Sequence, residues 1–483
     1  MGQKPYGMTK RSIFGLFILA TISFILSLGA CSTAPSKGEG EVGWEYMQQI
    51  LSQISAPTFP ERTFDVTDYG ADNSGNTKST VAINSAIVEC SEAGGGTVLI
   101  PKGVYLTGAI HLKSNVNLHL AEEATLRFSR NDSDYLPMVF TRWEGTECYN
   151  YSPFIYAFEQ ENVAITGSGT LDGNSDSANW WHWKGEWSRK TWEVGPENQA
   201  DAVARLRQMA EDNVPVEERV FGPGHYLRPK FVQFYRCKNI LMDGITIINS
   251  PMWVIHPVLS ENITISNVSV KSHGPNNDGC NPESSRNILI QDCYFDTGDD
   301  CIAIKSGRNA DGRRLNVPAE NIIVRRCTMR DGHGGVVMGS EISGNVRNVF
   351  AEDCIMDSPN LDRIIRIKTN SLRGGTIENI FVRNINVGKV RQAILHIDFD
   401  YEEGDAGTFT PIVRNINIEN VTSQSSDRAV FINAYERAPV KGITIKNSSF
   451  NNVKKEDRIN HVKDFNVENV LVNGEPMKLP ESI

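Results

Sequence analysis

The sequence predicts an all-β chain wound as a right-handed, single-stranded parallel β-helix with one N-terminal capping helix. Three observations carry that prediction. An Asn-apolar-x-apolar signature recurs along the chain, one offset inside each recurrence is always Val, Ile or Cys, and helical periodicity is absent from these units.

At the N-terminus, Lys10 and Arg11 precede the apolar run "SIFGLFILATISFILSLGA" and Cys31, the layout of an export signal over residues 1–30. The run also nears the ~20 apolar residues of a single membrane anchor. "LGAC", Leu28 to Cys31, resembles the lipobox of bacterial lipoproteins, which implies lipidation of Cys31. It also implies a lipid-anchored place in the bacterial cell envelope, periplasmic or on the outer-membrane surface. Residues 31–57, which include "STAPSKGEGE", read as a flexible tether.

Residues 58–475 read as one domain. "TKSTVAINSAIVECSEAGGG" has apolar residues at Val81, Ile83, Ala86, Ile87 and Cys90 and a glycine stop at Gly94, which predicts a helix capping the first coil. The strand signature stands at Asn239, Asn262, Asn287, Asn321, Asn348, Asn379 and Asn415, at irregular separations of roughly 23 to 36 residues. Irregular spacing fits a solenoid with variable loops. Six residues after successive leading asparagines stand Val268, Cys293, Cys327, Cys354, Ile385 and Val421, one inward column at the ~4.8 Å spacing of neighbouring strands. Cysteines mixed with Val and Ile fit packing, since free Cys behaves as a small hydrophobe. Neighbouring side chains on such a ladder run parallel, which disfavours disulfides. No Cys/His spacing suggests zinc.

A net charge of -10 and the lack of a Lys/Arg stripe argue against nucleic acid as a partner. An acidic polymer remains possible where cations are local. The coil register supplies such a place. Asp299 follows Asn287 by the same offset as His333 follows Asn321, so carboxylate and imidazole meet on adjacent coils, next to Asp300. Asp278 lies on the preceding coil after the turn "SHGPN". The runs "IAIKSG", "VVMGSE" and "IRIKTN" align, with Ile302, Ile304, Val336, Met338, Ile365 and Ile367 inward and Lys305, Arg366 and Lys368 outward. Singly, each motif fits a solvated turn or strand face. Jointly they make a groove running from carboxylates through a histidine to cations.

Glycosidic hydrolysis needs one protonated carboxyl and one ionised one, and crowded carboxylates separate their pKa values. Arg366 and Lys368 suit a sugar carboxylate. "NND" at 276–278, "GDD" at 298–300, "GHG" at 332–334 and "RIK" at 366–368 resemble the four motifs of the polygalacturonase family, glycoside hydrolase family 28, whose pectin-lyase-like solenoid matches the predicted fold. The usual first motif has Thr where Asn277 stands. "DVTDYGADNSGNT" and "GGGTVLIPKGVYLTG" are similar to that family's front end.

The resemblance implies inverting hydrolysis of α-1,4-galacturonosyl linkages in pectin, without metal or cofactor. It makes Asp299 the general acid, Asp278 and Asp300 the groups that activate water, His333 a support for the acid, and Asn276, Arg366 and Lys368 substrate ligands. An insertion at about 176–225 carries Trp180, Trp181, Trp183, Trp187 and Trp192, as sugar platforms or as the loop's own core. By closing one end of the groove it points to exo action by a monomer on pectic polysaccharide or galacturonate oligosaccharides. Rhamnogalacturonan or xylogalacturonan hydrolysis stays open, as do a calcium-dependent pectate lyase and a non-catalytic glycan-binding β-helix. His396 and Asp398, outward on the next coil, are candidates for a further subsite or a solvated strand face.

Overall fold

The computed structural model describes residues 42–480. The signal segment, Cys31 and "STAPSKGEGE" lie outside the described residues. Parallel strands stack into a long sheet of 23 strands, a sheet of six and a shorter one of four, and the coils wind right-handed.

Register explains the repeat. Ile240, Ile263, Ile288, Ile322, Val349, Ile380 and Ile416, each directly after a leading asparagine, pair in succession and form a buried interior ladder. The column Val268, Cys293, Cys327, Cys354, Ile385 and Val421 is buried, and its cysteines are free. The leading asparagines all sit in the left-handed region, for example Asn321 at φ 58° and Asn348 at φ 58°. Asn tolerates that conformation. It also links the coils, since the Asn321, Asn348, Asn379 and Asn415 amides each donate to the preceding asparagine at 2.7–3.0 Å.

Helix α1 (Trp44–Gln53) corrects the reading of residues 31–57 as a tether. Its Met47 and Ile50 cover Leu289, Ile323, Phe350 and Phe381. These four stand at the outward position of successive coils, an apolar patch that water would otherwise meet. Ser55 then exchanges backbone bonds with the Asn262 side chain at 2.9 and 3.0 Å, where the asparagine ladder is interrupted. Helix α2 (Thr80–Glu92) caps the first coil and buries Ile83, Ala86, Ile87 and Cys90. Val81 is 80% exposed rather than part of that face. At 100° per residue it points opposite to the other four.

Candidate active site

The six-stranded sheet pairs Ile302–Ile304 with Val336–Met338, and that strand with Arg363–Lys368. Ile302, Val336 and Ile365 align inward, and Ala303, Val337 and Arg366 align outward, as the sequence predicts. The turns entering these strands carry the acids. His333 N–H donates to the Asp299 carbonyl at 3.0 Å and Gly279 N–H to the Asp300 carbonyl at 3.0 Å, which locks three coils in register.

Each acid faces its own cation. His333 Nδ1 lies 3.0 Å from Asp299 Oδ1. Asp300 is fully buried, with Lys368 Nζ at 2.6 Å and Arg366 Nη1 at 3.4 Å. Asp278 accepts from Asn281 at 2.6 Å and lies 3.7 Å from Lys305 Nζ. A Cβ on Gly334 would stand 3.3 Å from Asp300 Oδ1 and 2.4 Å from Val337, so glycine in "GHG" makes the approach possible.

These surroundings separate the three carboxyls. Burial, reinforced by the Asp299 charge, pushes Asp278 well above the carboxylate range, with Lys305 opposing. Burial opposes ionisation at Asp299 and Asp300 too. There His333 outweighs it at Asp299, and Lys368 with Arg366 at Asp300, so both are held low. The Asp299 charge raises His333 in return. The surroundings therefore favour the protonated form at Asp278 and the ionised form at Asp299 and Asp300.

Asn276 and Asn277 divide their work. Asn277 is fully buried and fastens the bulging turn, accepting from Ser272 Oγ at 2.6 Å and Gly274 N–H at 2.9 Å. Asn276 holds a left-handed φ of 55° and accepts from Arg228 at 2.8 Å.

The sequence model of the family described as Glycosyl hydrolases family 28 matches residues 224–470, and one described as Rhamnogalacturonase A/epimerase, pectate lyase-like matches residues 63–120. A hyperthermoactive exopolygalacturonase from Thermotoga maritima has a crystal structure 46% identical in sequence, with TM-score 0.87, covering 90% of this chain and 97% of that one. The chain belongs to glycosyl hydrolases family 28. A probable polygalacturonase of Vitis vinifera is 28% identical over 92% of this chain and 83% of its own length. An exo-poly-alpha-D-galacturonosidase of Dickeya chrysanthemi is 27% identical over 76% of this chain and 62% of its own length.

Around the motifs, this family 28 chain gives Lys305, expected on the groove face, its partners, and adds Trp253, Tyr401 and a hairpin that sequence reasoning missed. Lys305 Nζ is shared among Glu341 at 3.0 Å, Asp278 and the Trp253 ring at 4.5 Å. Tyr401 lies under Arg366 and Lys368, at 5.4 and 5.2 Å. An antiparallel hairpin, Val139–Trp143 with Thr146–Asn150, turns at Glu144 and Gly145, both with positive φ. The Gly145 carbonyl accepts from Arg308 N–H at 3.0 Å, which sets the hairpin against the coil after Lys305. "WEGTE" is its sequence signal, alternation about a turn with glycine second.

In the insertion, Trp180 and Trp183 are buried among Tyr135, Tyr151 and Phe154 as local core. Trp187 and Trp192 stack on each other at 5.8 Å. Trp181 lies against Gly274, on the turn that carries the first motif, and donates to the Ser250 carbonyl at 2.8 Å. His396 is no solvated strand face. It is buried and stacked on Phe431 at 4.4 Å, and burial pushes its pKa to about 2. Asp398 accepts from Asn433 at 3.3 Å.

Proposed function

We propose that the protein is an exo-acting polygalacturonase that hydrolyses α-1,4-galacturonosyl bonds with inversion. The observation that carries this reading is the convergence of Asp278, Asp299 and Asp300 from adjacent coils, each against its own basic side chain, in a groove lined by cations. Asp299 delivers a proton to the leaving glycosidic oxygen while water, held by Asp300 and Asp278, attacks the anomeric carbon and gives up its own proton to them. Burial and the Asp299 charge favour the proton on Asp278, so Asp299 must take up a proton before the glycosidic bond breaks. Arg366 and Lys368 hold Asp300, and with Asn276 they contact the sugar.

Protein cations against all three carboxylates suit hydrolysis better than a calcium-dependent lyase, whose acids must be free to coordinate the ion. The insertion fastened at Trp181 beside the first motif favours end-trimming. From the sequence alone, we further propose a monomer anchored in the bacterial envelope through lipidated Cys31, with residues 1–30 removed.

Incubation of the chain lacking residues 1–31 with polygalacturonate and with rhamnogalacturonan, followed by sizing of the products, tests this reading. Monomeric galacturonate from the first substrate is expected. A spread of oligomers refutes exo action, ultraviolet-absorbing unsaturated uronates refute hydrolysis, and release from rhamnogalacturonan alone refutes the substrate.

A further inference from the structure

The cations that the sequence offers for the substrate's carboxylate, Arg366 and Lys368, are already committed to Asp300 at 3.4 and 2.6 Å. A second group of cations on the insertion side of Asp299 is not. Arg228 is fully buried, and its guanidinium bonds only neutral acceptors: Gln199 Oε1 at 3.1 Å, the Pro251 and Pro275 carbonyls at 3.0 and 2.7 Å, and Asn276 Oδ1 at 2.8 Å. Lys230, also buried, places Nζ 5.0 Å from the Trp143 ring, 4.3 Å from the Trp253 ring and 3.0 Å from Met252 Sδ. Lys184, half-buried at the end of the short helical turn Trp181–Lys184, has no hydrogen-bond partner among the described residues. None of the three has a carboxylate oxygen within 4.0 Å among the described residues.

Their surroundings sharpen the imbalance. Glu144, at the hairpin tip, is the anion common to all three, and it is bonded to Arg207 at 3.1 Å. Asp299 is the other anion near Lys184 and Arg228. Burial pushes Lys230 down to about 7 and Arg228 down to about 9, and lowers Lys184. Buried charge without a partner is costly, and a protein retains it where a ligand supplies the opposite charge. Gln199 ties the group together, since its N–H donates to the Trp183 carbonyl at 2.8 Å and its side chain holds Arg228.

We propose that Lys184, backed by Arg228 and Lys230, is the ligand for the carboxylate of the terminal galacturonate, and so makes the insertion a reader of uronate charge as well as a stop for the chain end. The inference rests on the exo-polygalacturonase reading and gives it a charge-selective subsite. Lys184 is open enough for a sugar acid to reach, whereas Arg228 and Lys230 supply positive potential from behind and Arg228 fixes Asn276. The carboxylate bonds Lys184, and its charge favours the charged forms of all three cations in a dry site.

The test uses the exported chain and its Lys184→Met and Lys184→Arg variants. Substrates are an oligogalacturonate and the same oligomer with only its terminal carboxyl as a methyl ester. Loss of a charge-assisted hydrogen bond predicts a fall in kcat/KM of about 10- to 100-fold in Lys184→Met on the acid, with most of it regained in Lys184→Arg. Esterification should cost the wild type a similar factor and cost Lys184→Met little. Wild type that cleaves acid and ester equally well overturns the subsite, whatever the variants do. So does Lys184→Met that discriminates as strongly as wild type. Wild type that releases no galacturonate from the acid removes the polygalacturonase reading, and the subsite with it.

Discussion

His333 Nδ1 meets Asp299 Oδ1 at 3.0 Å across 34 residues of chain, because one turn of the solenoid separates them. The contact favours the charged form of both groups. It also gives the pair a pH signature. His333 is raised in the folded state, so its stabilisation is complete below its unfolded pKa near 6.5 and is lost as pH rises through the folded value. Asp299 is lowered, so its share is present above about 3.9 and is lost as pH falls through the folded value. The Tm advantage of wild type over His333→Gln should therefore be largest between about pH 4 and 6.5. An advantage that grows toward pH 9 would contradict the pairing.

Lys368→Met leaves buried Asp300 with Arg366 alone, at 3.4 Å. Breaking a buried ion pair costs about 3–5 kcal/mol. Asp300 is held low in the folded state, so this cost should shrink as pH falls and the carboxyl takes a proton. Denaturant unfolding of both proteins at neutral and acid pH measures it, and an equal cost at both would exclude the ion pair as its source.

Asn321 combines φ 58° with two ladder bonds at 3.0 Å. Asn321→Ala should lose about 1–2 kcal/mol to left-handed strain and about 1 kcal/mol more for the bonds. Asn321→Gly, free of the strain, should lose less. Thermal melts that rank Gly below Ala would contradict the backbone argument.

Removal of residues 1–57 should leave the catalytic coils intact but uncover Leu289, Ile323, Phe350 and Phe381. Burial of each such side chain is worth about 1.5–3 kcal/mol. A lower Tm and concentration-dependent self-association in ultracentrifugation are the expected outcomes, and an unchanged melt would show that α1 adds nothing.

The coils were legible because one coil repeats one pattern. Leading Asn, inward Ile and the offset shared by Asp299 and His333 are all local features that winding converts into contacts. The aligned runs place Lys305 on the groove face but give it no role, and Trp253 and Tyr401 were not legible as site residues, since their roles come from side-chain reach across coils and carry no spacing of their own. Helix α1 had a signal that went unused, the four outward apolar residues on successive coils. The hairpin turn at Glu144–Gly145 and the cations Lys184, Arg228 and Lys230, without a carboxylate partner among the described residues, lie in segments outside the repeat, where register offers no guide.

Asp299→Asn tests the central claim most directly, because amide replaces carboxyl without changing shape. With polygalacturonate at saturating concentration, kcat should fall by orders of magnitude while substrate affinity and Tm stay near those of wild type. Turnover within a few-fold of wild type would contradict the assignment of sugar-bond cleavage to this cluster.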